Sequence, residues 1–187
     1  MRRATRLATL VAVMGAMLMV PGKATAEERV CRGTIGARTV DNLRVPQGAT
    51  CTLNGTRVKG TVKVERAATL RAFGIRVVGN VQAENARTVI VRSGSVVGGS
   101  IQIVQGGSAR ILRSRINGDI LFDDQARTLR AGANRVGGNL QAFQNTGGLR
   151  ITNNRIDGNL QCKENRPGPV GGGNIVQGNK EDQCRRL

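Results

Sequence analysis

The chain has no histidine, no tryptophan and no tyrosine, and only three phenylalanines among its 187 residues. Sugar rings and unstacked bases are usually held on aromatic faces, so specific nucleic-acid recognition is not expected. Its four cysteines contain no C-x-x-C pair and there is no histidine to join them, which leaves no familiar metal or redox centre and predicts no cofactor. Acidic residues are also scarce, 12 against 29 Lys and Arg, a net charge of +17. An excess of that size favours polyanions as partners over acidic proteins or neutral sugars.

No apolar run is long enough to cross a bilayer comfortably. The best, residues 7–20, has 14 residues where about 20 are needed. Preceded by Arg2, Arg3 and Arg6 and followed by Ala24-Thr25-Ala26, it reads as a cleavable bacterial export signal covering 1–26. The leader carries four basic residues and no acidic ones, so the mature chain, 27–187, would keep a charge of +13. The expected destination is the periplasm or the exterior, with no membrane span.

What fills the rest is a repeat. Glycine recurs at Gly60, Gly79, Gly99, Gly118, Gly138, Gly158 and Gly178, every 19 or 20 residues, with Asn80, Asn139, Asn159 and Asn179 directly after four of them. A unit this short cannot bury a core alone and must stack on its neighbours. Aligned on the glycine, the units show period-2 apolar columns. Val58, Val77, Val97, Ile116, Val136 and Ile156 precede it by two. Val62, Val81, Ile101, Ile120, Leu140 and Leu160 follow it by two. A further column, Leu70, Val89, Ala109, Leu129 and Leu149, falls about half a turn later. Alternation inside a 20-residue period predicts short parallel strands coiled into an all-β, right-handed parallel β-helix of about seven coils with two or three sides. The glycines are read as sharp corners that need positive φ, and the asparagines as a hydrogen-bonded stack.

Four cysteines in an exported chain imply two disulfides. Residues 45–51 align with 64–70, which puts Cys51 in an interior column with Cys31 one period upstream; Cys162 and Cys184 follow the last two glycines at similar offsets. The expected bridges are Cys31–Cys51 and Cys162–Cys184, each one coil apart. They divide the mature chain into a capping coil (27–55), repeats (56–161) and a second cap (162–187).

One outward column stands out as a candidate site. Arg57, Arg76, Arg115, Arg135 and Arg155 precede the repeat glycine by three, broken only by Val96. A second holds Arg71, Arg110, Arg130 and Arg150, broken by Ile90. Like charges about 4.8 Å apart repel by roughly 0.9 kcal/mol per neighbouring pair even in water. A polyanion laid along the column would relieve that through guanidinium forks. The competing reading is a solubilising face that resists lateral association. Gln82, Gln102, Gln141 and Gln161 form an outward amide ladder. The carboxylate group Asp119, Asp123 and Asp124 sits on one coil and is the only place for carbohydrate-active chemistry or a weak calcium site.

The stretches VPQGATCTLNGT (45–56) and GNLQCKENRPGPVGGGNIVQGNKEDQC (158–184) resemble those of small secreted right-handed β-helix proteins of bacteria. The resemblance implies fold, export and paired cysteines, and brings no activity or catalytic residues. Polymerising β-helices of the bactofilin type share the coil logic but are cytoskeletal and lack both leader and cysteines. The resulting expectation is a monomeric, non-catalytic envelope or extracellular protein that binds an anionic polysaccharide or other envelope polyanion. The alternative is a carbohydrate-active enzyme using the three aspartates.

Overall fold

The computed structural model describes residues 27–187; the expected leader lies outside them. These residues build an all-β solenoid with three flat sides, in parallel sheets of nine, eight and eight strands. About seven turns separate the first and last strands of the two shorter sheets. A representative coil runs Val81–Glu84 on the first face, Thr88–Arg92 on the second and Val96–Val97 on the third. The cross-section is thus three-sided, and the column beginning at Leu70 lies a third of a turn on rather than half.

Strict register turns the sequence columns into layers. Val81 pairs with Val62 and Ile101, Val89 with Leu70 and Ala109, and Val97 with Val77 and Ile116. Each inward stack is buried, Ile101, Ile116, Ile120, Leu129 and Leu140 completely so. Alternate residues face solvent, as a period-2 strand requires. Among them Gln82 donates to Gln102 at 3.3 Å and Gln141 to Gln161 at 2.7 Å, the expected amide ladder, with Leu121 interrupting it.

The corners follow a different logic from the one expected. None of the repeat glycines has positive φ. They stack on one another at the corner between third and first faces, where the Gly99 N–H donates to Gly79 O and the Gly138 N–H to Gly118 O, both at 3.0 Å. A Cβ on Gly79 would lie 2.8 Å from Gly60 O, and one on Gly138 would meet the Asp119 carboxylate beneath it. Close approach of backbones, not left-handed conformation, demands glycine here. The stacked asparagines behave as expected: Asn80 Oδ1 accepts the Ser100 N–H at 2.8 Å, and Asn139 Oδ1 accepts that of Asn159 at 2.8 Å. Positive φ occurs at the other two corners, at Asn85, Gln105, Asp124 and Gln144 on one and Arg113, Ala133 and Asn153 on the other.

Behind each of those corners runs a buried polar ladder. Asn134, Asn154 and Asn174 form one. Asn154 Oδ1 accepts the N–H of Asn134 at 3.1 Å and its Nδ2 at 3.0 Å, while Asn154 Nδ2 donates to Ala131 O at 3.0 Å. Gln125, Asn145 and Asn165 make the other, extended at the surface by the exposed Gln183. Each asparagine, and Gln183, accepts a backbone N–H that the sharp turn removes from the sheet ladder, whereas Gln125 only donates, to Ile103 O and Asp123 O.

Both ends are closed. Cys31 is bonded to Cys51 and Cys162 to Cys184, with Cα–Cα separations of 5.5 and 5.2 Å, as the repeat register predicts. Segment 27–55 is itself regular, contributing strands to all three sheets. The terminal strands of the first face carry Arg29 and Lys180 in the column occupied elsewhere by Leu43, Val62 and Leu160. The final turn tucks Leu187 against the core.

Two expectations follow. Ile120→Asp places a charge with no partner in a fully buried stack, so thermal melts should show loss of more than about 4 kcal/mol or no soluble folded protein. Asn154→Ala strands several buried polar groups at once and should cost about 3 kcal/mol in chemical denaturation, while Gln141→Ala on the surface ladder should cost under about 1 kcal/mol.

Candidate functional site

Outward residues of the second and third faces form a surface charged with one sign only. On the third face Arg57 pairs with Arg76, and Arg135 with Arg115 and Arg155. On the second, Arg110 pairs with Arg130, and Arg130 with Arg150. All of these side chains are exposed. The two columns that the sequence shows separately flank a single edge, because only residues 72–75, 111–114, 131–134 and 151–154, the last two residues of a strand and a two-residue corner, lie between them. Arg92 and Arg113 stand on that corner. Arg92 stacks over the Phe73 ring of the coil below at 4.7 Å from its centroid, a cation–π contact that fixes it in place.

Charge is partitioned around the rod. The second and third faces and the corner between them, from Thr50 to Val176, carry 11 arginines and no carboxylate. All 12 carboxylates fall on the first face or the two corners that border it. The ion pairs among the described residues lie there too: Arg44 with Glu28 at 2.6 Å and Glu65 at 3.5 Å, Lys59 with Asp41 at 2.9 Å, and Lys163 with Glu164 at 4.0 Å. The hydrogen bond from Arg44 to Glu28, helped by the charges of Glu28 and Glu65, raises the pKa of Arg44. No arginine of the two columns has such a partner among the described residues. Of the net +13 expected for residues 27–187, these two faces and their corner supply 11. Sequence reading saw the columns but not the partition, because that depends on which columns share an edge.

Register alone brings the arginines together; the length of one strand keeps Asp119 apart from Asp123 and Asp124. Asp119 sits at the corner between third and first faces, and Asp123 and Asp124 near the far end of the strand Ile120–Gln125. Four residues of extended chain place Asp119 about 13 Å from Asp123. Paired glycosidase carboxylates need roughly 5–9.5 Å. Asp119 has a structural task instead: its Oδ1 accepts the Asn139 N–H at 2.6 Å, the same bond that Asn80, Asn139 and Asn159 make on their coils. Among the described residues no group of three His, Cys, Asp or Glu side chains is placed to hold a metal ion, and no helix is long and apolar enough to cross a membrane.

Asp119→Asn keeps the accepting oxygen and removes only the charge. Its melting behaviour should match the parent protein to within about 1 kcal/mol. A large loss of stability would mean the carboxylate charge, rather than its oxygen, holds this corner.

No protein-family model matches the chain, and no curated protein or solved structure matches it either.

Proposed function

We propose that this is an exported, monomeric, non-catalytic protein of the cell envelope or exterior whose arginine-lined edge binds an anionic polysaccharide or related envelope polyanion. The carrying observation is the 11 arginines on two adjoining faces and their shared corner with no carboxylate among them. A merely solubilising surface has no need to exclude acidic residues, since interspersed charges of both signs serve solubility as well and avoid self-repulsion. Parallel registration at about 4.8 Å presents the guanidinium groups as a row that one chain can engage at several points.

Export is supported by the basic and apolar character of residues 1–26 and by two disulfides, which persist in oxidising compartments. The monomeric state is supported by the ends. Head-to-tail stacking would bring Lys180 of one copy onto Arg29 of the next within a column that is otherwise apolar. The enzymatic alternative finds less support, given the span between Asp119 and Asp123.

Net charge alone would attract any polyanion diffusely, so the test must separate a row from a cloud. Arg115→Ser with Arg135→Ser removes neighbours in one column; Lys63→Ser with Lys163→Ser removes the same charge from the first face. Binding to heparin-like and teichoic-like polymers should fall at least about tenfold in the first variant and about twofold in the second, with a shallower salt dependence in the first. Equal losses would leave the columns as a solvated face.

A further inference from the structure

The two arginine columns break at the same places. Ile90 on the second face and Val96 on the third belong to one coil, between Arg71 and Arg110 in one column and Arg76 and Arg115 in the other. Both columns also end together, where Arg150 is followed by Val170 and Arg155 by Ile175. Val170 and Ile175 are 52% and 60% exposed, so neither is apolar in order to be buried. Three consecutive coils therefore carry arginine on both faces, and the coils on either side carry an aliphatic residue at both positions.

Resting on the polyanion reading above, we infer that the edge recognises a defined segment of about three anionic sugar units, one per coil, gripped from two sides. Arg110 and Arg115 lie five positions apart around the corner, so each coil offers a guanidinium fork on either flank of a chain lying along the edge. The three tiers rise about 4.8 Å each. An extended polymer with one charge per unit at a comparable rise places one anion at every tier. Phosphates along one strand of a nucleic-acid duplex, at roughly 3.4 Å of axis per charge, fall progressively out of step and miss the third tier by about 3 Å. A fourth anionic group would lie over Ile90 and Val96 and be desolvated without a partner.

The test uses the disulfide-bonded mature protein and singly charged uronic-acid oligomers from two to about five units, titrated at fixed low salt. Affinity should rise at least about threefold from two units to three, and less than about twofold from three to four. Ile90→Arg with Val96→Arg, both outward positions, should turn that flat step into a gain of at least about threefold. Arg130→Ser with Arg135→Ser, which empties the middle tier, should abolish the rise from two to three. Unchanged melting of both variants is checked first; should the arginine insertion not fold, the middle-tier variant decides alone. A fourth unit that adds as much as the third, or tighter binding of a DNA duplex of equal charge, overturns the three-unit site. If short oligomers show no steps while long polymers still bind through the columns, the segment fails and the polyanion reading survives. If neither binds, both fail.

Discussion

A coil of about 20 residues has no use for its own backbone polar groups: nearly every N–H and C=O on its three sides finds its partner in the coil above or below. Stacking at about 4.8 Å is therefore the condition on which the molecule rests. It demands glycine where the third face turns into the first, because there backbone lies on backbone with no room for a Cβ. In the later coils it is met by Asn or Gln behind the other two corners, where sharp turns leave N–H groups unpaired, and in one earlier coil by Ser95, whose hydroxyl accepts the Ile75 N–H. It also forces like residues onto like residues, so each choice at one position is repeated along a row.

Repetition is harmless for valine and favourable for amides, which donate and accept in turn. For arginine it costs repulsion that nothing on the same faces offsets. The chain had other options, since the first face carries acidic and basic residues together and pairs several of them. The exclusion of carboxylates from the other two faces leaves an unneutralised row in a rigid frame. On the reading proposed above, the frame fixes the spacing of the row in advance, so a bound polyanion would have only the side chains left to order.

Much of this was legible in the text. Columns such as Val62 to Leu160 are visible because burial tolerates only apolar residues at those positions, and the same register placed Cys31 against Cys51 and Cys162 against Cys184. The corners were less legible. Glycine reads equally well as a positive-φ residue or a close-approach residue, and only the stacked carbonyls decide between them. Positive φ at Arg113, Ala133 and Gln144 leaves no compositional mark. The buried ladder of Asn134, Asn154 and Asn174 did leave one, a 20-residue spacing, though polar residues are read as outward by default. The arginine columns were seen, but their common edge was not. A third of a turn, rather than half, is what brings them side by side.

Side-chain NMR tests most directly whether a polyanion lies along one edge of the rod, as proposed. The arginine Nε–Hε signals report each guanidinium separately, and a saturating anionic polysaccharide perturbs those it contacts. The account predicts large shifts for Arg110, Arg115, Arg130, Arg135, Arg150 and Arg155, with Arg44 and Arg66 on the side of the first face left almost unmoved. Shifts spread evenly over all arginines, or concentrated on the first face, would contradict it.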